Sequence, residues 1–136
     1  MTEPAVVEIL RKARYILRKP EYWTQGSYAR DAEGNELIHD SPDAVCWCAI
    51  GATYSAAQAL GYKTCKDVQN IVQDALDVLH EGIDYAILHG VLNGNNRELV
   101  SDWNDVYSRK HDEVLIAFDY AIEYALEGKN DIPHPP

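Results

Sequence analysis

Apolar residues recur at three- and four-residue spacing along several stretches of this chain, and proline, glycine and polar runs divide the stretches. Val6, Ile9, Leu10, Ala13, Ile16 and Leu17 form the first stripe, which predicts an amphipathic helix over residues 2–19. Thr2 is placed to cap it, Glu3 and Pro4 suit its first turn, and Pro20 ends it. Residues 20–41 have no helical period. Aromatic and polar residues alternate there, and Ala32-Glu33-Gly34-Asn35 signals a turn, so residues 28–30 are expected to pair with 36–38 in a short hairpin.

Ser41-Pro42-Asp43 reads as an N-cap hydroxyl, a proline at the first helical position and a first-turn acid, opening a second helix that Gly61 stops. No charge falls between Val45 and Tyr62, so this helix is expected to be buried and central, with Gly51 packed against a neighbouring helix. Thr64 to Asp67 resembles a capping box with Asp in the Glu position. The stripe Val68, Ile71, Val72, Ala75, Leu76 and Leu79 follows. Gly82 interrupts it before Ile83, Ala86 and Ile87, which leaves one kinked helix or two joined helices. After a loop at 89–96 and a helical turn near 98–103, a last helix begins at 110–112. It turns Val114, Leu115, Phe118, Ala121, Ile122 and Ala125 inward and stops at Gly128. Residues 130–136, with three prolines, read as a poorly ordered tail. The expected fold is all-α: one compact domain of four to five helices over residues 1–129, with one short β-hairpin between the first two.

Composition narrows the function classes. The 136 residues carry 12 basic and 22 acidic side chains, a net charge of −10, which disfavours direct contact with nucleic acid. Residues 1–68 hold 8 basic and 9 acidic residues and residues 69–136 hold 4 and 13, so the acidity belongs to the second half. That asymmetry admits an acidic decoy, a protein that offers carboxylates to a nucleic-acid-binding partner where phosphates would lie, beside the simpler reading of a solvated surface. No apolar run is long enough to span a membrane, and the first residues lack the basic-then-apolar pattern of a signal peptide. Three cysteines, Cys46, Cys48 and Cys65, fit reduced thiols in the cytoplasm. If Cys46 and Cys48 lie on a helix they point about 200° apart and do not bridge.

The succession Trp23-Thr24-Gln25-Gly26, Ala29-Arg30-Asp31, Gly34, Trp47-Cys48 with Gly51-Ala52, Trp103-Asn104-Asp105 and a final helix over 114–122 resembles a family of small bacterial and phage proteins catalogued only as a domain of unknown function. The resemblance implies a compact helical domain over nearly the whole chain. It brings no activity, so no catalytic residue is carried over.

Four groups of residues invite chemistry. Trp23, Gln25, Arg30, Asp31, Trp47, Cys48, Trp103, Asn104 and Asp105 would line a polar, aromatic-walled cleft if loop 22–31 folds over the start of the second helix. The alternative is that these polar groups only satisfy one another, with Arg30 pairing Asp31 or Asp105. Cys46-Trp47 resembles the Cys-Trp pair of papain-like proteases. His80, His89 or His111 would be the base, but the chain lacks such a core's strands and a cysteine in an Ala-rich helix is usually inert. Asp77, His80, Glu81 and Asp84 share a helix face at metal-site spacing, without the matching motif on a second helix that a di-metal bundle needs. Arg11, Arg14, Tyr15 and Arg18 form a face suited to an anion or to the acidic half of the same or another chain. The leading expectation is a non-catalytic binding module for a small molecule or a protein, with no cofactor, no metal and no membrane contact, and with self-association open.

Overall fold

The computed structural model describes residues 3–95 and 98–127. Five helices and a small antiparallel sheet make up this part of the chain: α1 Ala5–Ile16, β1 Ala29–Arg30, β2 Glu36–Leu37, β3 Cys46–Trp47, α2 Ala49–Ala59, α3 Cys65–Leu88, α4 Val100–Asn104 and α5 His111–Leu126, with a 3₁₀ turn at Pro20–Tyr22. The fold is mostly helical, as the periodicity predicts. Thr2, Gly128 and residues 130–136, for which the sequence predicts a cap, a helix stop and a poorly ordered tail, lie outside the described residues.

Helix α1 buries Val7, Ile9, Leu10 and Ala13. It stops short of Pro20 because the residues before a proline resist helical dihedrals. The longest helix, α3, packs against each of the other four. That central place was expected of α2. Thr64 caps α3 by accepting from the Asp67 N–H at 3.0 Å, and the helix runs unbroken through Gly82. Gly82 has a packing reason: a Cβ there would stand 2.6 Å from the Ala121 nitrogen of α5, so the hydrogen lets two helix backbones meet. Val72, Leu79 and Ile83 of α3 share one core with Val114 and Phe118 of α5, Leu10 of α1 and Trp103 of α4.

The sheet corrects two expectations. Ala29 pairs with Leu37 and Arg30 with Glu36, so the hairpin is where the turn signal puts it. A third strand, β3, then lies on the other side of β1, giving the order β2-β1-β3. The second helix therefore does not begin at Ser41. Ser41-Pro42-Asp43 makes a tight turn instead, in which the Ala44 N–H donates to the Ser41 carbonyl at 3.1 Å and the Asp43 N–H to Ser41 Oγ at 3.3 Å. A hydroxyl followed by proline and acid suits a turn as well as a helix start. The extended residues after it gain a partner strand, so tertiary pairing decides. Cys48 becomes the N-cap of α2, its sulfur accepting from the Gly51 N–H at 3.3 Å. The second correction is Gly51 itself. Its neighbour is not a helix but the hairpin backbone, since a Cβ there would stand 2.0 Å from the Tyr28 carbonyl oxygen. The same oxygen accepts from the Cys48 N–H at 3.2 Å, so β1 sits directly on the first turn of α2.

Candidate functional site

Asn104, the last residue of α4, is almost fully buried and joins three parts of the chain. Its Oδ1 accepts from Trp23 Nε1 at 2.8 Å and from the Ala49 N–H at 3.1 Å, the first residue of α2. Its Nδ2 donates to the Thr24 carbonyl at 3.3 Å and to Asp105 Oδ1 at 2.8 Å. Indole and amide N–H groups only donate and carbonyl and carboxylate oxygens only accept, so the partners themselves fix the orientation of this amide. Around it, Gln25 Nε2 donates to the carbonyls of Asn104 and Val106, each at 2.8 Å, and the Gly26 N–H donates to Asp105 Oδ1 at 3.0 Å.

Arg30 does not pair with a carboxylate. Its guanidinium donates to Thr24 Oγ1 at 3.1 Å and to the carbonyls of Gln25 at 3.0 Å and Gly34 at 3.1 Å, which ties the loop to its own hairpin. Asp31 closes the hairpin turn. It accepts from the backbone of Glu33 and Asn35 and from the Asn35 side chain, and these bonds, Asn35's first, hold its carboxyl below the usual range. Trp23, Gln25, Asn104 and Asp105 are thus brought together, with Cys48 beside them and Arg30 at the edge, and they satisfy one another. Two predicted residues point elsewhere. Trp47 Nε1 donates to the His39 carbonyl at 3.1 Å, and its ring borders a separate hollow with Tyr15 and Arg18. Trp103 is a core residue under the guanidinium of Arg109, 4.0 Å from its ring, and its buried Nε1 has no hydrogen-bond partner among the described residues.

What the network frames is an open trough of about 470 Å³. Gly26, Ser27 and Tyr28 form one wall and Glu36, Leu37 and Ile38 of the hairpin's second arm another. Cys48 and Ile50 of α2 meet Ser101 and Asp105 of α4 at the remaining sides. Tyr28 is 51% exposed and Ile38 65%, although both stand on a framework fixed by hydrogen bonds. A smaller hollow of about 250 Å³ continues past Ile50 and Ser101 to Leu76, Asp77, His80 and Leu99. Among the described residues no Lys or Arg lines either space, while Glu36, Asp105 and Asp77 do. The sequence pointed to the polar frame and missed the apolar walls. The available signal was the alternation of the hairpin, in which buried Ala29 is preceded by exposed Tyr28.

The other candidate chemistries are less supported. Burial is the main cause that pushes the Cys48 thiol up, outweighing the bonds from Gly51 and Ile50 that favour a thiolate. Among the described residues no histidine hydrogen-bonds to it; His111 Nε2 contacts the Leu17 carbonyl and His89 packs at a tilt against Tyr85. Among the described residues no three His, Cys, Asp or Glu side chains converge as metal ligands. On the cationic face of α1, Arg14 pairs with Asp119 of α5 through bonds of 2.6 and 3.1 Å, so part of that face meets the acidic half within the same chain.

No helix of the described residues is long and apolar enough to cross a membrane. Neither a curated protein nor a solved structure matches the chain. A family model does match, over residues 1–124, a span that takes in the loop, the hairpin and every residue of the Asn104 network; the chain belongs to DUF6197, a family of unknown function.

Proposed function

We propose that the protein is a non-catalytic, cytoplasmic binding module that takes an extended segment of a partner protein along the trough between the hairpin and α4. The observation that carries this is the contrast between frame and wall. The frame is saturated with hydrogen bonds, and the wall keeps Tyr28 and Ile38 in water. Large apolar side chains held rigidly at the surface mark interaction sites. The carboxylates of Glu36 and Asp105, on a trough that no Lys or Arg lines among the described residues, favour a segment that combines apolar and basic side chains. The decoy reading has less support. It needs an open row of carboxylates, but Asp119 is paired with Arg14, Glu113 lies against Arg109, and the Asp84 side chain is only 14% exposed. A thiol enzyme has less support still, because the buried Cys48 thiol favours its neutral form.

Selection from a random peptide library tests the proposal. The enriched peptides should carry Lys or Arg beside Leu, Ile or an aromatic residue. They should bind the Ile38→Asp variant, whose melting temperature serves as the folding control, about tenfold or more weakly. Peptides that bind variant and parent alike, or a library that yields no enriched sequence, would overturn it.

A further inference from the structure

Five of the 12 Lys and Arg residues of this acidic chain fall between positions 11 and 19. The fold divides them. Arg11 pairs with Glu3 at 2.8 Å and Arg14 with Asp119 at 2.6 Å. Lys12, Arg18 and Lys19 have no ion-pair partner among the described residues. Lys12 and Arg18 line a hollow of about 370 Å³ that shares no described residue with the peptide trough. Lys19 Nζ stands 6.0 Å from the ring of Tyr22, which lines the same hollow.

The hollow is built from three parts of the chain. Lys12, Tyr15 and Ile16 come to it at three- and four-residue spacing on one face of α1. The 3₁₀ turn then folds back, the Tyr22 N–H donating to the Lys19 carbonyl at 2.9 Å, and Arg18 comes to lie 4.0 Å from the Tyr15 ring and 5.2 Å from the Tyr22 ring. Lys12 Nζ is 5.4 Å from the centre of the same Tyr15 ring. The turn after Ser41 and strand β3 supply the apolar wall, Ala44, Val45 and Trp47. The Trp47 indole N–H is already engaged by the His39 carbonyl.

Charge and shape together select the ligand. Among the described residues no Asp or Glu lines the hollow. Glu21 and Asp43, which adjoin its lining in sequence, form no ion pair with its cations. The Arg18 guanidinium is held in place by its rings and by one bond to the Tyr15 carbonyl at 3.0 Å, so most of its N–H groups are left for an anion. A phosphate monoester carries about −1.5 to −2 charge at neutral pH, which answers more than one cation, and its oxygens suit the fork of an Arg beside the point charge of a Lys. Val45 and Trp47 offer nothing to phosphate but fit a flat apolar body. The volume falls within the roughly 300–1,000 Å³ of small-molecule sites.

We propose that this hollow binds a small organic phosphate with a flat apolar body, its phosphate held by Lys12 and Arg18 and its body against Val45 and Trp47. A nucleobase and a phenyl ring satisfy the same chemistry.

Titration calorimetry with the full chain at low salt tests this with adenosine 5′-monophosphate, phenyl phosphate, adenosine and inorganic phosphate. At least one of the two esters should bind saturably in the millimolar range or tighter, and the tighter of them identifies the body. Adenosine and inorganic phosphate should each bind several-fold more weakly than that ester. Lys12→Gln and Arg18→Gln should each weaken it several-fold, with the thermal midpoint as the folding control. Lys66→Gln, at an exposed cation outside the hollow, should leave binding unchanged, which separates a site from general attraction to positive charge. No saturable binding of either ester, adenosine or inorganic phosphate bound as tightly as the better ester, Lys12→Gln or Arg18→Gln binding like the parent, or an equal loss in Lys66→Gln would overturn the proposal.

Discussion

Asn104 occupies a place that no other side chain can fill without loss. It offers two acceptor positions to N–H donors and two N–H donors to oxygens, and all four are used. Asn104→Ala strands Trp23 Nε1 and the buried Ala49 N–H, at about 1–3 kcal/mol per unsatisfied group. The melting temperature should fall by roughly 10 °C, taking about 4 °C per kcal/mol for a domain this size. Asn104→Asp keeps the acceptors but turns a donor toward Asp105 into a like charge, so it should not restore the parent's stability. Arg30 is simpler, because its partners are a hydroxyl and two carbonyls of one loop. Removing it strands no carboxylate, and Arg30→Ala should cost about 1 kcal/mol, seen as a modest drop in thermal midpoint. The thiols can be ranked as well. Cys65 is exposed, Cys46 half-buried and Cys48 buried with a raised pKa. A thiol reagent near neutral pH should modify them in that order, as read by mass spectrometry of the labelled peptides. Cys48 should become reactive only as pH climbs above the ordinary thiol range; early labelling of Cys48 would contradict its burial.

At the scale of elements, two glycines mark the two joints of the fold. Gly51 lets the hairpin backbone rest on α2, and Gly82 lets α5 rest on α3. Alanine at either gains up to about 1 kcal/mol of helix propensity. The opposing atoms are backbone, however, at 2.0 and 2.6 Å, and cannot swing aside. Both Gly51→Ala and Gly82→Ala should therefore lower the denaturation midpoint despite the better helix former. Gly51→Ala should disturb the trough, whereas Gly82→Ala should push α5 away from α3. A midpoint raised by either change would refute the close approach. The Asp31 turn adds a pH dependence. Its folded pKa lies below the unfolded value, so its contribution to the hairpin is present above the ordinary carboxylate range and disappears as pH falls through the lowered value. The long helices were legible because α3 and α5 bury regular stripes and tolerate little else. Residues 41–48 were not, because a turn and a helix start share the same first three residues, and the choice between them is made by a distant strand. For the same reason the sequence marked Gln25, Arg30 and Asn104 as polar residues among tryptophans without revealing that they spend their hydrogen bonds on each other.

Across the whole molecule, charge is arranged more deliberately than the net value of −10 suggests. Cations of α1 lie next to the acidic α5, joined by Arg14 and Asp119, while α3, α4 and the trough remain anionic. Exposed pairs of this kind contribute little, so long-range repulsion should dominate the response to salt. Raising ionic strength until the Debye length falls from about 30 Å toward about 8 Å should raise the thermal midpoint. The same salt should slow association with a basic peptide, because it screens the field that steers the encounter. A midpoint that falls with salt would show that the local pairs outweigh the repulsion. The trough also has a history along the chain. Its first wall depends on Trp23 and Gln25, whose anchor, Asn104, lies 81 and 79 residues further on. During synthesis the hairpin and α2 leave the ribosome well before that anchor exists, and a chain interrupted before α4 keeps the bonds of Arg30 and Trp47 on loop 23–26 but lacks those from Asn104 and Asp105. A partner of the proposed trough would therefore meet its finished wall only on copies whose synthesis has passed α4.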